Sequence, residues 1–334
     1  MYLATGNALA VAEAQNGVGE VELQLKGLPT QCVAVDPETP ERIYCGTFGR
    51  GLWRSADAGR SWEAASSGIP HAEITSVAVS PLERSGDLGV VWAGTEPSAL
   101  FRSEDGGATW EERASLRSIP SAPTWSFPPR PWTSHIRWIA PDPNEEQRLF
   151  VGIELGGVMR SQDAGLTWED RKPGSQYDAH TLRTHRLAPG RVYEAAGGGY
   201  AESRDGGASW QRFDEGLTRH YVWGLAIDPR NPNVMLVSAA PGPREAHGSQ
   251  TGEAAIYRRV GDGPWEEIRD GLPPPRGTRA YVLATCEAEP GSFYAAARDG
   301  NVYRSADAGI SWEQLELLWP EEYQTPDVNG FVVV

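Results

Sequence analysis

The chain has 334 residues, with 45 acidic against 30 basic side chains and a formal net charge of −15. A sequence-independent nucleic-acid binder and a protein that adheres to anionic lipid both need a basic face, so neither is expected here, and the charge serves solubility. No apolar run approaches the ~20 residues of a membrane-crossing helix, and the first residues lack the basic region and long apolar core of a signal peptide, so a cytoplasmic protein without membrane insertion is expected.

Taken from the N-terminus, residues 1–26 read as three strands (2–6, 8–14 and 20–26) with no strand before them to pair with. The next stretch is clearer. Residues 31–37, 42–47, 51–55 and 61–65 alternate apolar and polar side chains as half-buried strands do. Between the third and fourth lies the octapeptide 55–62, with Ser55, Asp57, Gly59, Ser61 and Trp62 at the positions of a pattern S-x-D-x-G-x-[ST]-W. The pattern returns at 103–110, 161–168, 203–210 and 305–312, with a worn copy around 261–265. Its aspartates are Asp57, Asp105, Asp163, Asp205, Asp262 and Asp307; its tryptophans are Trp62, Trp110, Trp168, Trp210, Trp265 and Trp312. A motif recurring at this period marks a repeat protein.

The octapeptide is a turn. The aspartate can accept from backbone N–H groups one to three residues on, the glycine supplies a positive φ, and the tryptophan fills the seam between neighbouring sheets. It therefore joins the third and fourth strands of a four-stranded antiparallel unit, one blade of a propeller. The Asp36-Pro37 corner after the first strand returns at Asp142-Pro143 and Asp228-Pro229, with Ser80-Pro81 and Ala188-Pro189 as variants. Further first strands fall near 74–80, 135–140, 182–188, 221–228 and 279–286.

The C-terminus, 329–334, reads as a lone first strand. It completes the orphan strands of 1–26, which removes the open sheet edges that invite aggregation and makes a cleaved leader unexpected. The expectation is a single all-β domain over 1–334, a seven-bladed β-propeller. Its blades are approximately 1–26 with 329–334, 27–70, 71–115, 135–173, 180–215, 219–271 and 278–318. Cys32, Cys45 and Cys286 lack metal-ligand spacing; Cys32 and Cys45 fall on opposite faces of neighbouring strands, so free thiols are expected.

The octapeptide resembles the Asp box, or BNR repeat, of sialidases, sortilin-type receptors, xyloglucan hydrolases and photosystem II assembly factors. The resemblance covers nearly the whole chain. It implies the propeller fold and a structural role for the box, and it leaves function open.

In a four-stranded blade, the octapeptide turns decorate one rim. The opposite rim gathers the connections between blades and those between second and third strands, including the two longest, 116–134 and 240–253. Loops of this length in a compact domain are usually functional or disordered. The first carries Trp125, Phe127 and Trp132, an aromatic content unlike disorder, and is expected to pack as a wall of the mouth.

Alignment of the first strands places Gln31, Thr75, Arg137, Arg183, Trp223, Tyr281 and Asn329 around the channel, with His135, His180, His220 and Tyr221 just upstream. Glu96, Glu154 and Asp299 occupy equivalent positions in the connections after second strands, and Arg298 stands beside Asp299. Arginines, histidines, carboxylates and aromatics converging on one mouth suit a polar ligand. Arg137 with Glu154 also reads as a structural ion pair. His180 and His185, five apart on one strand, point to opposite faces, so no metal site is expected; no cofactor is expected either, with Ca²⁺ in the channel left open. Glu96, Glu154 and Asp299 are weak catalytic candidates.

Three functions compete. The first is a non-enzymatic binding or assembly propeller that docks a protein or glycan on the loop face. The alternative is a glycoside hydrolase or lyase acting on a glycan or small polar anion. The Arg-Ile-Pro signature of sialidases is missing, since residues 118–120 and 68–70 lack the arginine. The third, a sortilin-like receptor, lacks the signal peptide, membrane segment and Cys-rich module of that family. The binding reading is preferred.

Overall fold

The computed structural model describes the chain except for residues 16, 128–132, 322, 324 and 325. Its strands group into antiparallel units that follow one another along the chain. The first comprises Thr30–Val35, Ile43–Thr47, Leu52–Ser55 and Glu63–Ala64. The second comprises Glu73–Ser85, Leu88–Glu96, Leu100–Ser103 and Glu111–Glu112. The third has Ile136–Pro141, Leu149–Ile153 and Gly157–Ser161, with a single bridge from Arg160 to Glu169 in place of an outer strand. The fourth runs from Ala179–Thr184 to Gln211–Arg212, the fifth from Tyr221–Asp228 to Glu266–Ile268, and the sixth from Val282–Thr285 to Glu313–Leu318.

The last unit joins both ends of the chain. Gly330–Val332 pairs antiparallel with Tyr2–Ala4, followed outward by Leu9–Gln15 and Val18–Gln24. Each innermost strand packs beside the next, and Gly330–Val332 touches Thr30–Val35, so the ring closes on itself. This is a β-propeller.

Two details differ from the sequence reading. Ser80-Pro81 is no corner: the strand continues to Ser85, absorbs a register shift between Val79 and Arg84, and turns at Gly86. The Ser80 hydroxyl accepts the N–H groups of Leu82 and Glu83 and so satisfies the irregular stretch. The sixth and seventh units are also not separate sheets. Glu313–Leu318, longer than the outer strands of the first five units, pairs in parallel with Val18–Gln24 and fuses them into one eight-stranded sheet.

Between units the core is apolar and close. Ile74 and Ile136 each press on a glycine of the preceding unit, where a Cβ at Gly46 or Gly94 would sit 2.7 or 2.6 Å from the isoleucine Cγ2. At the first seam Tyr44, Leu52, Ile74, Val91, Phe101 and Trp110 bury together. Cys32 belongs to this seam and Cys45 to the one on the other side of the sheet; all three cysteines are free thiols.

The octapeptide turn uses more of its residues than its aspartate and glycine. The Ser55 hydroxyl donates to Asp57 Oδ1 at 2.8 Å and accepts the Gly59 N–H at 2.8 Å. Asp57 reaches one residue further than expected, accepting the Ser61 N–H at 2.9 Å and the Ser61 hydroxyl at 2.6 Å. The same bonds recur in the turns that begin at Ser103, Ser161, Ser203 and Ser305. Two consecutive residues are left-handed, Ala58 at φ 59° and Gly59 at 88°, so the residue before the glycine is strained in three copies that hold alanine there.

Trp110, Trp265 and Trp312 are buried, whereas Trp62, Trp168 and Trp210 are half-buried. The worn copy keeps its tryptophan and a turn closed by the Gly263 N–H on the Val260 carbonyl, but its aspartate no longer braces it: Asp262 is exposed and pairs with Arg204. Its chain lacks the serine that would brace the aspartate, since Val260 stands where the other turns begin.

These hydrogen bonds set a pH dependence. Bonds from Ser61 and Ser55 hold the Asp57 carboxyl down at about 2, and those from Ser209 do so for Asp205. At Asp105 and Asp307 slight burial pushes upward, but Thr109 and Ser311 prevail and again set about 2. A carboxyl depressed in the fold stabilises it fully above its unfolded value, and that contribution is lost as pH falls through the folded value. Stability should therefore drop between about pH 4 and pH 2, where unfolded aspartate has already taken up its proton. Urea midpoints across this range should show the drop, and the variant with all four aspartates changed to asparagine should start lower and show a shallower slope. An equal slope in that variant would contradict the assignment.

Candidate functional site

Five inner strands share an irregularity near their start. The register shifts between Thr30 and Cys32, Ile74 and Ser76, Ile136 and Trp138, Ala179 and Thr181, and Val222 and Gly224. The skipped residues are Gln31, Thr75, Arg137, His180 and Trp223. A bulge breaks the two-residue alternation and re-aims one side chain. Here it turns Gln31, Thr75, Arg137 and Trp223 into a cavity of about 700 Å³ at the channel mouth.

The rest of the lining comes from the loops of one rim. Glu96 ends a second strand, Glu154, Pro243, His247 and Arg298 follow second strands, and Phe127, Asp178, Asp327 and Asn329 precede first strands. No aspartate of the octapeptide turns lines it. Both long connections contribute, the second through a short helix, Pro243–His247.

Several expected residues lie elsewhere. Arg183 is not the fourth-unit equivalent of Arg137; His180 is, because the strand begins at Ala179 rather than three residues later. Arg183 sits deeper in the channel, its guanidinium 4.6 Å from the Trp138 ring, and burial lowers its pKa to about 10. Tyr281 turns into the core between sheets, edge-on to Tyr303. His220 is exposed outside the cavity, and Asp299 is exposed and accepts from the N–H and side chain of Asn301 in its own turn. Trp125 is buried beneath the mouth, where its Nε1–H donates to Ser121 Oγ, and Phe127 takes the wall position. Trp132 lies outside the described residues. His185 leaves the site, bonded to the Asp228 carbonyl.

The residues that do converge form two linked groups. In the first, His135 stands between two buried carboxylates, its Nε2 2.7 Å from Glu154 Oε2 and its Nδ1 3.6 Å from Glu96 Oε2. Burial alone would raise the Glu154 carboxyl, but the His135 hydrogen bond and the positive charge beside it hold it below its ordinary value. Arg137 Nε lies 3.9 Å from Glu154 and forms no hydrogen bond among the described residues.

The second group is built on Trp223. Arg137 lies over its ring at 4.5 Å and Arg298 at 5.7 Å. His180 packs against the same indole at 4.7 Å, and His247 meets it edge-on at 4.4 Å. Arg298 donates to Asn329 Oδ1 at 2.6 Å and approaches His247 Nδ1 at 3.4 Å, and burial lowers its pKa to about 10. Burial, and then the Arg298 charge, push the His247 imidazole down to about 3.

Because Arg298 can only donate, His247 Nδ1 must be the acceptor. The neutral ring then carries its proton on Nε2 and donates it to Tyr221 Oη, 3.2 Å away. Sequence reasoning missed His247, Asp178 and Asp327. Asp178 was accessible: it stands two residues before His180, and the correct start of the fourth inner strand places it on the rim.

No protein-family model and no curated relative matches the chain. Among solved structures, it is similar to an ancestral GH74 enzyme (TM-score 0.65, 17% identity), covering 86% of this chain and 38% of that one. It is similar to the GH74 xyloglucanase from Xanthomonas campestris (0.64, 18%), over 91% and 46%. It is also similar to YCF48 bound to D1 peptide (0.58, 16%), over 91% of this chain and 84% of that one. The chain thus spans less than half the length of those two GH74 enzymes. At such identities the likeness is one of fold, and the fold is that of the β-propeller proteins.

The tautomer assignment is open to measurement. Nitrogen-15 NMR of the histidines should show His247 neutral and protonated at Nε2 down to about pH 4. A His247 that titrates near the ordinary value of about 6.5, or that carries its neutral proton on Nδ1, would contradict the arrangement.

Proposed function

We propose that this protein is a non-enzymatic binding propeller whose mouth takes a polypeptide segment bearing a carboxylate. The observation that carries the reading is the placement of His135 between the two candidate carboxylates. A glycoside hydrolase needs two carboxyls facing each other across an open cleft, one with a raised pKa to act as acid. Here the imidazole of His135 fills the space between Glu96 and Glu154, and its hydrogen bond favours the ionised form of Glu154. Asp299, the third candidate, is exposed, bonded within its own turn, and does not line the cavity.

The ligand chemistry follows from what the mouth offers. The Arg137 and Arg298 guanidinium groups lie over one indole, and the buried Nε of each lacks a hydrogen-bond partner among the described residues. Two planar cations held in place by ring contacts suit a carboxylate. Aromatic side chains around them supply apolar contact for the residues beside it. The neighbour solved with a bound peptide supports the same class of partner, since the match runs over most of both chains. The octapeptide turns on the far rim are read as scaffold.

The test is an array of short peptides with and without acidic residues and free C-termini, run beside xyloglucan oligosaccharides and chromogenic glycosides. Peptides bearing a carboxylate should bind, and Arg137→Gln or Arg298→Gln should each weaken binding about tenfold or more with the melting temperature retained. Glycoside turnover that disappears in Glu154→Gln would overturn the proposal.

A further inference from the structure

Behind the cation pair, the floor of the mouth holds an arrangement that peptide recognition does not use. One ligand atom from each of Glu154, Asp178 and His180 lies within 4.8 Å of the others. His180 is fully buried. Its Nδ1 lies 2.8 Å from the Val222 carbonyl, which can only accept, so Nδ1 carries the proton. In the neutral ring Nε2 is then a lone pair, and it points into the cluster with no hydrogen-bond partner among the described residues. Asp178 Oδ2 lies 3.4 Å from it, outside hydrogen-bond geometry, and Asp178 Oδ1 is likewise buried without a partner.

Three electron-rich atoms facing one another in a buried floor repel unless a cation stands between them. We infer that Glu154, Asp178 and His180 form a binding site for a divalent transition-metal ion, with Zn²⁺ the best-fitting probe. A metal-bound histidine characteristically donates its other N–H to a carbonyl or carboxylate, which fixes the tautomer, and Val222 does this for His180. Zinc–nitrogen and zinc–oxygen bonds of about 2.0–2.2 Å set tetrahedral ligand separations of about 3.3–3.6 Å. The His180–Asp178 distance already has that value. An imidazole ligand argues against Ca²⁺, which takes oxygen donors.

Three protein ligands leave a fourth position, and both Glu154 and Asp178 line the cavity, so that position opens on the mouth. His135, bonded to Glu154 Oε2 at 2.7 Å, holds that carboxylate in place. His180 was expected to lie apart from any metal because its partner was sought in His185; the bulge re-aims it toward Glu154 and Asp178 instead.

The ion needs no peptide to bind, so its uptake is measured on the isolated full chain after chelator treatment. Titration with Zn²⁺ followed by calorimetry, with metal content after gel filtration, should give one ion per chain and a higher melting temperature. Asp178→Asn keeps the shape of a partly exposed residue and should weaken uptake at least tenfold, as should His180→Gln; His220→Ala, on the exposed surface, should not. If His180→Gln fails to fold, Asp178→Asn alone decides. No stoichiometric uptake would overturn the inference. So would uptake unchanged by Asp178→Asn, or NMR showing His180 doubly protonated as an imidazolium between the carboxylates in the presence of Zn²⁺.

Discussion

The structure depends on one short pairing. Tyr2, Leu3 and Ala4 lie opposite Val332, Phe331 and Gly330, and this ladder turns a row of sheets into a ring. Joining segments some 330 residues apart costs roughly 5 kcal/mol of chain entropy by the logarithmic rule for loop closure. Leu3 and Phe331 are buried in one cluster with Val328, Ala284 and Tyr294, and two such side chains offset about 3–6 kcal/mol. Ladder bonds add about 1 kcal/mol each, as do those from the Asn329 N–H to the Ala4 carbonyl and from the Asp327 N–H to the Thr5 carbonyl. Together these gains exceed the cost, so the pairing favours a closed ring.

The same pairing reaches the mouth. Asp327 and Asn329 lie on the segment that leads into Gly330–Val332, and both contact Arg298. Arg298 in turn fixes the tautomer of His247 and flanks Trp223. The clasp thereby positions one of the two guanidinium groups, while the bulged inner strands position the other. A ring alone would give a channel lined by alternate side chains of straight strands. The bulges at Arg137, His180 and Trp223 bring unlike groups to one level, which is what makes a site of it.

Much of the ring was legible in the sequence. The octapeptide spaces the units, its residues specify the turn, and the unpaired strands at the two ends imply their union. The residues at the mouth were harder to read because a bulge erases the alternation by which a strand start is recognised. In the fourth unit this displaced the expected strand by three residues, putting Arg183 in the place of His180 and hiding Asp178. Asp299 and Tyr281 occupy formally equivalent positions, yet local turn bonding holds one outside and the packing of Tyr303 draws the other into the core. His247 depends on a five-residue helix within a long connection, which no periodicity announces.

The most direct test of the account is removal of residues 330–334, followed by hydrogen exchange and thermal unfolding. If the ends close the ring, the amides of Tyr2–Ala4 lose their protection, the unfolding midpoint falls, and the first and sixth units no longer melt together. A truncated chain with the original midpoint and undiminished protection in Tyr2–Ala4 would contradict it.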